Sequence, residues 1–383
     1  MTFVREAASN RLSYAPGVFS LRLVLVAALL AAGAACSPLP HTWDPVEAFP
    51  VVSAAHPTPA DPAPDGLRLL TWNLKFGGAR VDFFFDGWGD RVHLSEAEVS
   101  ANVDALIGLI EEVDPDILLA QEVDVGSRRS AYVDMVDEIL QRTAFNHAAF
   151  VPVWVVDHIP QNGLGKVEMG QAVFSRYPIV RNTRVDLPQS GDNSAVTNYF
   201  WLHRAVQITE VEVSGNVLTV VNNHPTAYAL DGTKQIHLAE IFDWSAQADG
   251  PVVTGGDFNV IPPGSLVTEG FADNAPADVP GVTEVAYTPD EIAALEPFYE
   301  SFSPAIDLAA YQAATEPVEQ ERFLTHSVSQ TTGFTQKLDY LFTTEAWREA
   351  HTLQAVGDGA PAVTADPNAL SDHAPILGVL EWP

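Results

Sequence analysis

The chain has 383 residues, of which 47% are hydrophobic and 18% are charged, and its formal net charge is −31. This much apolar material excludes a disordered chain and a fibrous repeat, although length alone leaves the number of domains open. The charge argues against a non-specific DNA-binding protein, because a chain with only four lysines has little with which to build a broad basic surface.

The N-terminal segment predicts export. Arg22 precedes the uncharged apolar run 23–35, which at about 1.5 Å per residue is too short to cross about 30 Å of hydrocarbon as a helix. We therefore predict a signal peptide over residues 1–35. Cys36, the only cysteine, follows directly, and the segment resembles a bacterial lipoprotein signal. We predict that Cys36 is lipidated and anchors an exported protein to the membrane of the cell envelope. The alternative is an ordinary cleaved signal.

Residues 36–66 are rich in Pro, Ala and Asp and have little hydrophobic periodicity. This composition predicts a solvated tether. From residue 67 the pattern changes to short apolar runs separated by turn residues, which predicts a folded domain over 67–383.

The apolar runs predict more strands than helices. Strands are predicted at 67–73, 117–122, 172–175, 205–213, 217–222, 252–257, 337–343 and 376–382, and helices at 95–113, 130–142 and 234–247. This order predicts an α/β fold, a four-layer α/β sandwich of two packed, mainly antiparallel sheets with outer helices.

Polar residues stand at the ends of these apolar strands, where a rigid sheet edge can hold a reactive side chain. They are Asn73, Glu122, His224, Asp257, Asn259, Asp339, Asp372 and His373. Carboxylate and amide oxygens suit Mg²⁺, Mn²⁺ or Ca²⁺, while the single cysteine argues against zinc. Such cations neutralise phosphate esters and activate water, and a histidine beside a carboxylate is a common general acid or base.

The strings TWN, QE, SRYP, NNH, GDFN, LDY and SDH occur in this order between residues 67 and 383. Each is weak alone. Together they resemble the endonuclease/exonuclease/phosphatase superfamily, which includes pancreatic-type deoxyribonuclease, apurinic endonucleases, inositol polyphosphate phosphatases and neutral sphingomyelinases.

The resemblance implies a Mg²⁺ site, with Mn²⁺ or Ca²⁺ as alternatives, in which Glu122 is the principal ligand. Asn73 and Asp372 would complete or support the metal shell. Two of these residues also have a simpler interpretation, Asn73 as a strand-end turn residue and Glu122 as a surface carboxylate.

The resemblance also implies catalytic roles for the remaining residues during in-line attack of water on phosphorus. Asp257 would orient or deprotonate the water, and Asn259 would hydrogen-bond to that water or to the phosphoryl oxygens. His373 would contact the phosphate with its tautomer set by Asp339, and His224 would donate to an oxygen that gains negative charge. Asp257 and Asn259 could alternatively serve only turn geometry. His224 is the least secure, because Pro225 follows it.

Substrate choice depends on the loops. The aromatic stretch 81–93 is either an exposed rim for an apolar leaving group or a loop folded back on the core, and 273–325 is an acidic insertion predicted to pack beside the site. The seven histidines of residues 67–383 that lie outside the motifs, His326 among them, are interpreted as surface or core residues.

We predict an exported, lipid-anchored, divalent-metal-dependent phosphodiesterase. Its charge favours a small or lipid-linked phosphoester over duplex DNA, and no obligate protein partner is evident. One alternative is an extracellular nuclease, for which Arg128 and Arg129 could form part of a local basic patch. Another is a catalytically silent surface binding module.

Overall fold

The computed structural model describes residues 41–62, 64–84, 89–227, 229–271, 286–328, 333–354 and 363–382. The predicted signal peptide and Cys36 lie outside them. The fourteen strands are β1 (Val46–Ala48), β2 (Val51–Ser53), β3 (Gly66–Asn73), β4 (Ile117–Asp124), β5 (His147–Ile159), β6 (Gly165–Ser175), β7 (Ile179–Asp186), β8 (Ala205–Val213), β9 (Asn216–Asn223), β10 (Val252–Asp257), β11 (Ser303–Pro304), β12 (Asp339–Thr343), β13 (Trp347–Thr352) and β14 (Ile376–Glu381).

Nine α-helices are found among the described residues. They are α1 (Glu96–Val113), α2 (Met135–Arg142), α3 (Ala195–Phe200), α4 (Thr233–Ala246), α5 (Pro289–Ala293), α6 (Glu296–Ser301), α7 (Leu308–Gln312), α8 (Pro317–Gln320) and α9 (Pro367–Leu370). Within the ranges that the structure describes, none is both long enough and apolar enough to cross a membrane.

The strands form two seven-stranded mixed sheets, in the orders β1-β7-β8-β9-β10-β12-β11 and β13-β14-β3-β4-β6-β5-β2. Each sheet contains one parallel pair, β9–β10 in the first and β3–β4 in the second, and the other neighbours are antiparallel. The predicted α/β sandwich of mainly antiparallel sheets is confirmed.

Apolar side chains on the two faces of each strand belong to different layers of the core. In β3, Leu69 packs with residues of both sheets, whereas Leu70 packs with the inner face of α1, because successive side chains of a strand point to opposite faces. On the outer face of the other sheet, α4 and α6 pack through Leu238 and Phe298. Helices therefore cover the outer face of each sheet.

The observed elements differ from the predicted ones in several places. Strands β5, β7 and β13 were not predicted. The helix predicted from residue 130 begins at Met135, because Ser130 Oγ donates to Asp124 within a preceding 3₁₀ turn and Asp134 caps α2.

The predicted tether also differs from the structure. Val46–Ala48 pairs with β7 and Val51–Ser53 pairs with β5, so each adds an edge strand to one sheet. The tether prediction is wrong for these residues, which belong to the folded domain. Both strands have only three residues, too few to produce a periodic pattern.

A buried polar network joins the two sheets. Asn222 Nδ2 donates to Gln207 Oε1 (3.1 Å) within its own sheet and to the carbonyl of Ala120 (3.1 Å) in the other, while its Oδ1 accepts from Gln121 Nε2 (2.7 Å). Asn222, Gln207 and Gln121 are each fully buried. Because an unpaired polar group at such depth is costly, the network sets one register between the sheets.

Removing this link should destabilise the domain. Asn222→Ala leaves Gln207 Oε1 and neighbouring carbonyls short of a donor, so we expect the free energy of unfolding to fall by about 3 kcal/mol. Asn216→Ala, at the exposed start of the same strand, is the matched control and should change stability by less than about 0.5 kcal/mol. Urea denaturation measures both, and equal losses would contradict a structural role for the network.

Candidate functional site

The predicted polar residues meet where the two parallel strand pairs end. Asn73 closes β3 and Asp257 closes β10, and Asn73 Nδ2 lies 3.2 Å from Glu122 Oε1 and 3.3 Å from Asp257 Oδ2. Asp257 Oδ2 also lies 3.3 Å from His224 Nε2 and 3.6 Å from His373 Nε2. The structure therefore brings residues from both sheets together around Asp257.

A β-bulge turns Glu122 into the site. The β4–β6 register shifts between Ala120 and Val123, and Glu122 has a positive φ of 53°. Bulges re-aim single side chains, and a non-glycine residue in this region of backbone space is strained and must be held by its surroundings. Glu122 is half-buried, unlike the other seven predicted site residues, which are buried.

The turn after β10 is built around a close approach of two backbones. Gly256 has φ 141°, and a Cβ there would lie 2.0 Å from the carbonyl oxygen of Asn223, so only glycine fits. Asn259 N donates to Asp257 Oδ1 (2.9 Å), and Asn259 Nδ2 donates to the carbonyl of Pro225 (3.0 Å). Asn259 thus holds both Asp257 and the segment that follows His224.

Asp339 and His373 form the predicted carboxylate–histidine pair. His373 Nδ1 lies 2.8 Å from Asp339 Oδ2, and Trp72 Nε1 donates to the carbonyl of His373 (2.8 Å). Burial alone would lower the pKa of His373, but the carboxylates of Asp339 and Asp257 outweigh it and raise the pKa to about 10. His373 is therefore a cation at neutral pH.

His224 and Asp257 differ from His373 in their protonation. Burial, with added repulsion from Arg204 and His373, holds the pKa of His224 well below its usual range, so its ring is neutral. Burial raises the pKa of Asp257 to about 6, with His373 opposing the shift and Asp339 adding to it. Near pH 7 these three residues are thus a neutral histidine, a cationic histidine and a carboxylate that can accept a proton.

Two residues of the site were not predicted. Lys75 is buried, and its Nζ lies 2.9 Å from Asp372 Oδ2. Burial alone would raise the pKa of Asp372, but Lys75, then His373, hold it well below its usual range. The other residue is half-buried His326, whose ring centroid lies 4.6 Å from that of His373. Lys75 had a sequence signal, a lysine directly after the apolar TWNL segment in a lysine-poor chain; His326 had none.

Asn73 does not offer its oxygen to Glu122. Its Oδ1 accepts from the backbone N–H of Lys75 (3.0 Å), which turns its Nδ2 toward the carboxylates of Glu122 and Asp257. Asn73 therefore orients the acidic side chains by hydrogen bonds.

The donor set fits a hard divalent cation. Asp257, Asp339 and His373 bring one ligand-type atom each within 4.8 Å of one another, but His373 Nδ1 and Asp339 Oδ2 already bond to each other. Glu122 Oε1 and Asp257 Oδ2 lie 3.2 and 3.3 Å from the same amide nitrogen of Asn73, and carboxylate oxygens gathered in this way are suitable ligands for Mg²⁺ or Mn²⁺. Glu122 is the residue that would hold the ion, and Asp257 would lie beside it as the acceptor of a proton from the water.

Arg128 and Arg129, the arginines considered for a basic patch, have other partners, and so does Arg176 of the SRYP string. Arg129 is buried, donates to both carboxylate oxygens of Asp124 (2.9 and 3.0 Å) and stacks on Phe76 at 3.8 Å. Arg128 donates to the carbonyl of Gly163 (3.2 Å). Arg176 pairs with Asp114, which precedes β4 and so lies at the opposite end of that strand from Glu122.

The two loops considered for substrate choice are partly described. Phe83 is buried and its ring centroid lies 5.0 Å from that of Phe76, so this part of the aromatic stretch folds back on the core; residues 85–88 lie outside the described residues. In the acidic insertion, residues 286–325 include α5 to α8. Phe298 of α6 contacts Phe258 of the GDFN turn at 5.3 Å between ring centroids, which packs the insertion against the turn that holds Asp257.

Removing the Asp339 carboxylate should lower the pKa of His373. In Asp339→Asn we expect a fall of about 2 units, because an opposite charge in contact shifts a pKa by about 1 to 3 units. NMR titration of the histidine rings measures it, with exposed Asp104→Asn as the control that leaves His373 unchanged. A wild-type His373 that titrates near its ordinary value of about 6.5 would contradict the charge state described above.

Known structures share this fold. An endonuclease/exonuclease/phosphatase from Beutenbergia cavernae DSM 12333 is 17% identical over 83% of this chain and 72% of its own, with a TM-score of 0.51. A Bacteroides vulgatus endonuclease/exonuclease/phosphatase is 15% identical over 83% and 99%, with a TM-score of 0.50. A humanized D. rerio TDP2 with 14 mutations is 13% identical over 83% and 100%, also with a TM-score of 0.50. At these identities the likeness concerns the fold alone.

By sequence, no curated protein matches the chain. The model of the endonuclease/exonuclease/phosphatase family matches residues 70–373, which is most of the chain and includes all eight predicted metal and catalytic residues. The chain therefore belongs to the endonuclease/exonuclease/phosphatase family, a family of hydrolases that act on phosphoester bonds and use divalent metals.

Proposed function

We propose that this protein is a Mg²⁺-dependent phosphodiesterase that acts on a small or lipid-linked phosphoester. The observation that supports this most directly is the contact set of Asp257, whose carboxylate lies within 3.6 Å of a neutral histidine, a cationic histidine and the amide that also contacts Glu122. This set combines a proton acceptor, a fixed positive charge and oxygen ligands for a metal. Hydrolysis of a phosphate ester by water needs all three.

Each residue has a distinct part in the proposed reaction. When bound, the divalent ion neutralises phosphoryl charge and lowers the pKa of water. Asp257 accepts the proton of the attacking water, since its oxygens face the site and Asn259 N–H fixes one of them. His373, cationic and held by Asp339, binds a phosphoryl oxygen through its Nε2 proton. His224 lies beside Asp257 and stabilises the oxygen that gains negative charge.

The electrostatics of the chain favour a small or lipid-linked substrate over duplex DNA. Affinity for duplex DNA depends on cationic contacts to many phosphates, and the formal net charge is −31. Arg129, considered above for a basic patch, forms an ion pair with Asp124, and Arg176 forms one with Asp114. A single phosphoester needs only the charges already inside the site.

Replacing the principal proposed metal ligand should abolish hydrolysis. We expect Glu122→Ala to lower Mg²⁺-dependent hydrolysis of bis-p-nitrophenyl phosphate by at least about 100-fold to 1000-fold, the loss typical of removing one charge-stabilising group. Exposed Glu212→Ala is the control and should retain wild-type activity. Glu122→Ala with undiminished activity would refute the assignment.

A substrate panel with Mg²⁺ at physiological salt tests the substrate class. The same two variants are assayed on sphingomyelin, inositol phosphates, nucleotides and plasmid DNA, and Glu122→Ala should lose activity on whichever substrate is hydrolysed. Plasmid DNA as by far the best substrate would favour the nuclease alternative instead.

We also propose that the domain is exported and held at the membrane through lipidated Cys36. The proposal is supported by the apolar run 23–35 directly before the only cysteine. We expect Cys36→Ser to move the protein from the membrane fraction to the soluble fraction, as measured by fractionation and immunoblotting. Unchanged partitioning would reject the lipid anchor.

A further inference from the structure

We infer that the domain binds the surface of a lipid bilayer through an exposed apolar patch formed by Val196, Tyr199 and Leu230. The patch lies at the end of the sandwich that carries the site, so this contact would place the site beside lipid headgroups. The inference goes beyond the proposed hydrolysis and rests on the lipid anchor that forms part of the proposed function.

The patch is built by two segments that are hydrogen-bonded to each other. Val196 and Tyr199 are 71% and 40% exposed, and they lie three residues apart in α3, which places them on one face of the helix. Leu230 is 84% exposed, and its N–H donates to Oδ2 of Asp192 (2.7 Å), which lies three residues before α3 begins. Single exposed apolar residues are common on soluble proteins, whereas clusters of them mark contacts with other molecules or with membranes.

The patch and the site lie at the same end of the first sheet. Asp186 at the end of β7 pairs with Ala205 at the start of β8. The next residue of β8, Val206, pairs with Asn223, which directly precedes His224. Helix α3 lies between β7 and β8, and the leucine of the patch follows His224 by six residues. Both segments of the patch therefore leave the sheet at the end where His224 enters the site.

The chain that follows Cys36 joins the described domain next to α3. His41 is the fifth residue after Cys36, and its N–H donates to the carbonyl of Val155 in β5 (3.0 Å). Trp154, the preceding residue of β5, donates from Nε1 to the carbonyl of Phe200 at the end of α3 (2.8 Å). Because five residues of extended chain span at most about 18 Å, a lipid on Cys36 would hold the part of the domain around α3 close to the bilayer. This reach favours a bilayer over a second protein as the occupant of the patch.

The charges around the patch favour a bilayer with neutral headgroups. Asp192 and Asp231 border it, and they accept hydrogen bonds from the N–H groups of Leu230 (2.7 Å) and Gly191 (2.6 Å), respectively. The chain also carries a formal net charge of −31. Because an anionic surface would repel these carboxylates, the affinity has to come from burial of the apolar side chains.

The experiment measures vesicle binding without the lipid anchor. Residues 37–383 contain every residue that the structure describes and lack both the predicted signal peptide and Cys36. Sedimentation with phosphatidylcholine vesicles gives the partition coefficient of this chain, and analytical ultracentrifugation without vesicles gives its oligomeric state. The test variant combines Val196→Ser with Leu230→Ser. Val180→Ser is the matched control, because Val180 is also exposed (52%) but lies near the start of β7, at the opposite end of that strand from the patch.

We expect residues 37–383 to bind these vesicles and the double variant to bind at least about tenfold less, because burial of one valine or leucine side chain shifts an equilibrium constant by about tenfold or more. Val180→Ser should bind like the unsubstituted chain. Replacing part of the phosphatidylcholine with phosphatidylglycerol should weaken binding, since the added anionic headgroups repel the acidic domain.

Three results would overturn the inference: no vesicle binding by the unsubstituted chain, equal losses in the double variant and in Val180→Ser, or a dimer that the double variant dissociates, which would assign the patch to a second copy. If the melting temperature shows that the double variant does not fold, Leu230→Ser alone replaces it. Because the assay involves neither hydrolysis nor Cys36, these results leave the proposed activity and the lipid anchor to their own tests.

Discussion

The gathering of four carboxylates in one site, three of them buried and Glu122 half-buried, is the constraint on which the rest of the structure depends. Carboxylates removed from water must be paired, protonated or bound to a metal. Here Asp339 is paired with His373 and Asp372 with Lys75, while Glu122 and Asp257 share the amide of Asn73. The fold has to bring both cations to the site and hold the acidic side chains together there.

Two sheets are needed because no single strand edge supplies all of these groups. Asn73 and Glu122 belong to one sheet, and Asp257 and Asp339 belong to the other. The polar network of Asn222, Gln207 and Gln121 joins the two sheets. It lies next to the site in the sequence, because Gln121 directly precedes Glu122. Because a shifted register would leave those buried amides unpaired, the same contacts that stabilise the sandwich also keep the two halves of the site in place.

Some features could be predicted and others could not, for identifiable reasons. Strand β8 was predicted with its observed limits, Ala205–Val213, because apolar and polar residues alternate along it. Strand β7 was missed because it contains Arg184, a fully buried arginine that donates to the carbonyl of Pro152 and so interrupts the apolar pattern. Strand β5 was missed because its pairing is irregular at Pro152 and again near its end. A local sequence pattern cannot show that a buried arginine is satisfied by a carbonyl of another strand.

The sequence by itself predicted the fold class from its short apolar runs. It predicted the eight polar residues of the site from their positions at strand ends and from motifs that resemble those of the family, because both signals are local in the chain. Only the tertiary structure decided the partners, orientation and protonation of each of these residues. It placed Lys75 against Asp372, turned the amide nitrogen of Asn73 toward Glu122 and brought His326 beside His373. These are contacts between residues up to 297 positions apart in the chain, and the charge, orientation and protonation of each side chain depend on neighbours that only folding supplies.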